Sequence, residues 1–600
     1  MKKLLKFILK VFLTLTFSLV TSCILLFILA VGITALFTST PPKLTQESVL
    51  VFDMNTNITD GETANTPSMV MEAFFGGRQT QTLALWEIID AIEAATEDDF
   101  IQAIYLHGSL QPRHYGCGFA TLRELRDAIE AFQAAGKKVY AHMLSPTLRD
   151  YYLYSVADHL SLDPMGMLLT PALGSEVTYW GEAFEKYGIG VQVMRTGKYK
   201  SWTERFTESK MSAENREQIT QLLDELSETL LADMAKHRAI SAEDLKQLAQ
   251  QKAFLTGEEA AKAGLIDTSA PMDTVLDELT ALVGEEPSGE TFNQIDLRDY
   301  MYAQSLKPEK NKATDEIAVL YAEGEIVMGE GEYHNIGGAR LSRTLRELRH
   351  NDDVKAVVLR VNSPGGSAQA SEMIAREIAL IQKTKPVVTS IGSVGASGGY
   401  WMAAPTDSIF AEPCSITGSI GVFGLKPNIK KLGNDHGVNW DSVTTTPFAN
   451  MFSMATPMNP VAYHQFQAAN EHVYALFIDK VAQGRHLEPE YVETIAQGRV
   501  WTGVEAKKNG LVDELGGLKE AISKAAELAS IENFKLTHLP ERQDFADALT
   551  ELFGEQRITP VSRGDWVGQI TARLGEDLGT LKSFNDPMGV YALPPFQIRL

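Results

Sequence analysis

The strongest constraint on this chain is that it contains nearly the same domain twice. Lys355-Ala-Val-Val-Leu-Arg360 precedes Lys385-Pro-Val-Val-Thr-Ser390 and Tyr400-Trp-Met-Ala-Ala404-Pro-Thr-Asp407 in the second half. The first half has Gln102-Ala-Ile-Tyr-Leu-His107, Lys137-Lys-Val-Tyr-Ala-His142 and Tyr151-Tyr-Leu-Tyr-Ser155-Val-Ala-Asp158. The halves also close alike, Leu255-Thr-Gly-Glu-Glu-Ala260 running to Gly264-Leu-Ile-Asp267 and Trp501-Thr-Gly-Val-Glu-Ala506 running to Gly510-Leu-Val-Asp513. A period of roughly 250 residues is far too long for a solenoid and marks duplication of a whole domain. The informative positions are therefore those where the copies differ. The second copy has Gly395-Ala-Ser397-Gly-Gly399 where the first has Pro146-Thr-Leu148-Arg-Asp150. The first has Lys198-Tyr-Lys200-Ser201 where the second reads Thr445-Thr-Pro447-Phe448. One copy keeps a candidate serine, the other a candidate lysine.

Both copies alternate short Val/Ile/Leu runs with longer amphipathic segments, as in Ala356–Val361, then Gln369 to Gln382, then Val387–Ile391. That rhythm predicts βαβ units and an α/β fold with a largely parallel sheet. Ser48–Phe52 and Ile317–Tyr321 read as corresponding buried strands. The first repeat is expected over 46–300 and the second over 313–540. The polar stretches Gly284–Gly289 and Lys307–Lys312 are the candidate boundaries. Beyond about residue 540 the repeat fades into an extension, 541–600, in which Phe545–Phe553 could form one amphipathic helix.

A net charge of −23 argues against a nucleic-acid surface, which needs clustered Lys and Arg. Cys23, Cys117 and Cys414 have no metal-ligand spacing and cannot build a disulfide framework, so no metal or other cofactor is suggested. The N-terminus carries an address. Lys2, Lys3, Lys6 and Lys10 precede an uncharged run from Val11 to Phe37. As a helix that run spans roughly 40 Å, more than the hydrocarbon core of a bilayer. The lysines predict residues 1–10 in the cytoplasm and the body of the chain outside. A cleaved signal peptide is the rival, but the run exceeds the roughly 7–15 residues of its apolar region. Val20-Thr-Ser-Cys23 could pass for a lipoprotein cleavage box, yet an apolar stretch continues beyond that cysteine.

Three junctions in the second copy are rich in glycine. Asn362-Ser-Pro-Gly365-Gly366-Ser367 follows a predicted strand, and paired glycines there permit positive φ and expose amide N–H groups. Gly395–Gly399 places Ser397 at a strand-to-helix turn, with the Gly398 N–H free for a developing oxyanion. Thr417-Gly418-Ser419-Ile-Gly421 supplies another hydroxyl, on a loop. Each alone reads as an ordinary turn; together, in order on one domain, they point to a site. Ser397 needs a base, and lysine serves only if burial away from carboxylates keeps its amine neutral. By itself Lys200, just past the strand-like run from Val191, reads as a surface lysine.

Ser-Pro-Gly-Gly, Ala-Ser-Gly-Gly-Tyr-Trp and Ser-Ile-Thr-Gly-Ser-Ile-Gly-Val, with Tyr-Lys-Ser upstream, closely resemble the long, tandem-repeat members of the signal peptide peptidase A family. The resemblance runs from residue 1 to about 540. It implies two tandem Clp-protease/crotonase-like domains after one transmembrane helix at 11–37, and a Ser–Lys peptidase that degrades cleaved signal peptides. It implies Ser397 as nucleophile, Lys200 as general base, Ser419 orienting the lysine, and Gly398 with Gly365 or Gly366 forming the oxyanion hole. It further implies a homotetramer at the outer face of a bacterial cytoplasmic membrane, with serine and lysine supplied by neighbouring subunits. The first copy departs from the pattern, with Leu106-His-Gly-Ser-Leu110 where the second has Val361-Asn-Ser-Pro-Gly365. That fits a copy contributing only the lysine. The duplication itself requires the two residues to meet across a domain or subunit interface, and the expectation here is a subunit interface.

Other readings remain. Gly395–Gly399 also matches the G-x-S-x-G nucleophile elbow, with His436, His464, His472, His486 and His538 available downstream. An acyl-CoA enzyme of the crotonase type would share the fold, although coenzyme A chemistry is out of place beyond the membrane. A non-catalytic membrane scaffold has no reason to keep Gly-Ala-Ser-Gly-Gly in a dead copy.

Overall fold

The computed structural model describes Thr21 and residues 44–61, 81–289, 291–307, 312–332, 334–540 and 590–592. The expected N-terminal segment 1–10, the anchor 11–37 (Thr21 apart) and the helix Phe545–Phe553 lie outside the described residues. Among the described residues no helix is long and apolar enough to cross a membrane.

The duplication reappears as strand order. In the first repeat a parallel sheet runs Thr268–Ser269, His159–Leu162, Lys138–Met143, Ile101–His107, Ser48–Asp53, Gln294–Asp296. In the second the same path runs Glu514–Leu515, Ser408–Ala411, Val387–Ala396, Val354–Ser363, Glu316–Glu323, Lys535–Leu539, again parallel. These strands are continuous apolar runs because helices cover both faces. Val354–Ser363, for example, is buried at every position but Lys355. The helix Gly338–His350 turns Leu341, Leu345 and Leu348 inward at helical spacing, and Ser367 caps the helix Ala368–Ile381 by accepting from the Ala370 N–H at 3.2 Å. Gln294–Asp296 pairs with Ser48–Asp53, so Gly284–Gly289 is a turn within the first repeat.

Two features lock the repeats together. The strand Gly190–Thr196 of the first repeat leaves its own sheet and pairs antiparallel with Val422–Asn428 of the second, Thr196 opposite Val422 and Gly190 opposite Asn428. The helix Pro460–Arg485 holds it there, Asn470 Nδ2 donating to Met194 O and Tyr463 Oη to Val193 O, both at 2.9 Å. Deeper in the seam, Arg360 has lost all solvent contact. Its guanidinium lies 2.6 Å from Asp60 Oδ1 and 2.5 Å from Glu124 Oε1, two carboxylates of the first repeat. It also donates to Ser390 Oγ at 2.8 Å. Glu124 accepts in addition from the Leu518 N–H at 2.7 Å.

A third sheet lies between the repeats and mixes their segments. Its order is Asn335–Gly337, Glu325–Val327, Gly366–Ser367, Val590–Ala592, Val422–Asn428, Gly190–Thr196. Gly366–Ser367 is one of its inner strands, Val422–Asn428 begins three residues beyond Ser419, and Lys200 follows its edge strand Gly190–Thr196.

Candidate active site

The strand Val387–Ala396 has ten residues where its first-repeat counterpart, Lys138–Met143, has six. The extra length carries it beyond the parallel core to pair with Ile416–Gly418. It ends at Ser397, where φ is +56° and ψ is −114°, and the helix Gly398–Ala403 begins. A non-glycine residue at positive φ costs on the order of 1–3 kcal/mol and persists only where its surroundings impose it. Here the Ser397 N–H donates to Gly418 O, and its carbonyl accepts from the Trp401 N–H, both at 2.8 Å. The segment Thr417-Gly418 is strand rather than the expected loop, and Ser419 follows it directly at φ +52°.

Lys200 arrives from the other repeat. Past Thr196 the chain turns at Gly197, φ +107°, where a Cβ would stand 2.6 Å from the Gln497 carbonyl. Across the gap, a Cβ on Gly498, φ +79°, would stand 2.6 Å from Lys200 N. Both positions therefore require glycine, for conformation and for space. The Tyr199 N–H donates to Gln497 O at 2.8 Å, and Gln218 Nε2 holds Tyr199 O at 2.9 Å. Arg499 completes the clamp. Its guanidinium stacks on Tyr199, at 4.8 Å from the ring centre, while its carbonyl accepts from the Ser419 N–H at 2.6 Å. One residue thus touches both the lysine loop and the Ser419 turn. Sequence reasoning missed Gln218, Gln497, Gly498 and Arg499. The only signal for the last three was their position just ahead of the repeated Trp501-Thr-Gly.

These supports bring Lys200 Nζ to 2.7 Å from Ser397 Oγ, 2.9 Å from Ser419 O and 3.1 Å from Ser419 Oγ. All three residues are 0 % exposed, and every partner of the amine is a neutral oxygen. Burial alone therefore drives the Lys200 amine well below the ordinary lysine pKa. The glycine turns also converge. A Cβ built on Gly398 would stand 3.1 Å from Gly366 N and 3.2 Å from Gly365 Cα, so the three glycine backbones form one close-packed corner. Gly365 and Gly366 have φ of +103° and +153°.

The expected meeting of serine and lysine between subunits is corrected by this geometry: they meet within one chain, across the seam between its repeats. The cause is the strand Gly190–Thr196, whose pairing with Val422–Asn428 delivers the lysine loop to the second repeat of the same chain. The candidate histidines have other surroundings. His538 Nδ1 lies 2.9 Å from Tyr321 Oη, with its ring stacked on Trp86, and His436 Nδ1 lies 2.8 Å from Leu432 O.

Sequence similarity to known proteins extends over both repeats. A model of peptidase family S49 matches residues 131–285 and 379–532, one segment in each repeat, and a Clp protease model matches 308–415. Protease 4 of Haemophilus influenzae is 33% identical over 575 residues, covering 91% of each chain. Protease 4 of Salmonella typhi is 33% identical over 571 residues, covering 91% of this chain and 90% of its own. A chloroplastic serine protease of Arabidopsis thaliana, SPPA, is 32% identical over 454 residues, covering 75% of this chain and 66% of its own. Two family matches in register with two structural repeats, and full-length relatives named as proteases, place the chain in peptidase family S49 as a tandem-repeat serine protease.

Proposed function

We propose that the chain is a Ser–Lys endopeptidase, anchored by residues 11–37 at the outer face of a bacterial cytoplasmic membrane, that degrades cleaved signal peptides and other hydrophobic peptides. The observation that carries the chemistry is the 2.7 Å approach of a fully buried lysine amine to a serine hydroxyl on a strained turn. A neutral amine has two hydrogens and one lone pair. Ser419 O and Oγ accept the hydrogens, which leaves the lone pair for the Ser397 hydroxyl. Ser397 Oγ then attacks the peptide carbonyl as its proton passes to Lys200 Nζ. The oxyanion forms beside the Gly398 N–H, with a second donor from Gly365 or Gly366. Lys200 gives its proton to the departing amine, and a water deprotonated by the same lysine releases the acyl group. The substrate class follows from the anchor: a body tethered just outside the bilayer meets apolar peptides released there. Assembly as a homotetramer completes the reading, with each chain carrying a whole site.

The pH profile tests it. Only the neutral amine is a base, so kcat/KM on a hydrophobic signal-peptide substrate should fall about tenfold per pH unit below the pKa of Lys200 and level off above it. The limb should lie well below the ordinary lysine range, in keeping with the burial of the amine. A profile still climbing through pH 10 would contradict a desolvated lysine base.

A further inference from the structure

The closing motifs of the two repeats differ where the second passes the candidate site. Arg499 and Trp501 stand in the second copy where the first has Ala253 and Leu255, while Thr256 and Thr502 are shared. Each threonine caps the helix that follows it by accepting a backbone N–H at 3.3 Å, from Glu259 and from Glu505. Each motif also forms the same antiparallel strand pair, Phe254–Thr256 with Met167–Leu169 and Val500–Thr502 with Ile416–Gly418. The motif therefore folds without the arginine and the tryptophan. Those two belong to the copy that holds Ser397.

Together with Tyr199 they form a stack across the seam. The Arg499 guanidinium lies 4.8 Å from the Tyr199 ring centre and 4.7 Å from that of Trp501. Tyr199 immediately precedes Lys200. Trp501 packs on Gly418, where a Cβ would stand 2.8 Å from its Cδ1, and the Gly418 carbonyl holds the Ser397 N–H. The cation thus joins the lysine loop to the strand that supports the serine turn. Its hydrogens are taken up on the first-repeat side. Nη1 lies 3.3 Å from both Tyr199 Oη and Glu217 Oε1, and Nη2 donates to Gln221 Oε1. Glu217 and Gln221 are one turn apart on the helix Ala213–Ala235, whose Gln218 holds Tyr199 O. The other charge on the stack is the Lys198 amine, 4.9 Å from the Tyr199 ring centre.

We propose that Arg499 is a positioning residue for the peptidase reaction: its guanidinium, stacked on Tyr199 and Trp501, sets the spacing between the Lys200 amine and the hydroxyls of Ser397 and Ser419. The proposal rests on Ser397 and Lys200 forming a peptidase site. A lysine at this position would keep the charge but not the function, because an ammonium has no plane to stack and no fixed fork for three acceptors. The bond from the Ser419 N–H to the Arg499 carbonyl is main-chain, so a lysine variant leaves it in place and isolates the side chain. A misplacement of about 1 Å at the reacting atoms costs about 10²-fold in rate. Looser packing also lets water reach the Lys200 amine, whose basicity depends on burial.

The test compares the full-length chain with Arg499→Lys, in detergent. On a hydrophobic peptide, kcat is expected to fall about 10²-fold with KM little changed. The acidic limb of the kcat/KM profile is expected to move up by about one pH unit, toward the ordinary lysine range, because the amine is wetter. A second measurement needs no activity. Lys200→Met removes the cost of burying an amine, so the rise in melting temperature it brings at pH 7 should shrink in an Arg499→Lys background. A limb that stays at its parental pH, or a rise that stays whole, would overturn the proposal whatever the fall in kcat. An unaltered chain without hydrolytic activity would sink the peptidase reading instead, and the melting comparison would then decide alone whether Arg499 holds Lys200 in its buried place.

Discussion

Lys200→Met is expected to abolish peptide hydrolysis and, at neutral pH, to make the folded chain more stable. The loss of activity follows from removing the amine that lies 2.7 Å from Ser397 Oγ, and a positioned general base is worth roughly 10²–10⁴-fold in kcat. Lys200→Arg should be as inactive, because a guanidinium does not give up its proton in a protein. The gain in stability follows from linkage. Burial depresses the folded-state pKa of Lys200, so between that value and the ordinary lysine pKa the unfolded chain binds more protons than the folded one. Stability of the unaltered chain therefore rises with pH across that window. Below it, the chain carries the full penalty of burying the amine. A methionine of similar length has no such penalty. The melting temperature of Lys200→Met should exceed that of the parent at pH 7, and the difference should close as pH approaches 10.5. An inactive variant that is also destabilised at every pH would mean that the amine serves mainly to hold the seam together.

Arg360→Met is expected to have the largest effect on stability. Arg360 is the cation shared by Asp60 and Glu124, and all three side chains are buried between the repeats. Removing one partner from such a cluster leaves uncompensated charge in a dry seam, about 3–5 kcal/mol. For a unit of 150–250 residues this corresponds to a fall of roughly 10 °C in melting temperature. Because Lys200 and Ser397 come from opposite sides of that seam, activity should be lost at a lower temperature as well. Combining Arg360→Met with Asp60→Asn and Glu124→Gln should recover much of the loss. The amides keep acceptors, including the one for the Leu518 N–H, without burying net charge. A triple variant no more stable than Arg360→Met would show that steric fit matters more than charge at this position.

Much of the architecture was legible because it is written locally and twice. Strands such as Val354–Ser363 announce themselves as apolar runs, and the repeated closing motifs matched the two copies before any strand order was known. The glycine turns at Gly365-Gly366 and Gly398-Gly399 were readable because positive φ and close backbone approach leave few alternatives. Lys200 was different. Nothing in its neighbours foretells burial, which comes with Gly498, Gln497 and Arg499 some 300 positions away; the comparison of the copies made it a candidate, and only the family resemblance gave it a role. Whether it meets Ser397 within or between chains was equally illegible. Complementary loss in two copies satisfies both, and the deciding fact is a long-range strand pairing, Gly190–Thr196 with Val422–Asn428. The C-terminal strand escaped for a similar reason. Three residues carry no periodicity, and their partners lie more than 160 positions upstream.

The central claim is that one chain, through its two unequal repeats, builds one complete Ser–Lys site. The most direct measurement co-expresses full-length Lys200→Ala and Ser397→Ala chains with different tags, purifies assemblies that carry both, and assays peptide hydrolysis. The intrachain site predicts no activity above that of either variant alone, since every site then lacks the serine or the lysine. Recovery of a substantial fraction of parental activity in these mixed assemblies would contradict it, and would return the lysine to a neighbouring subunit.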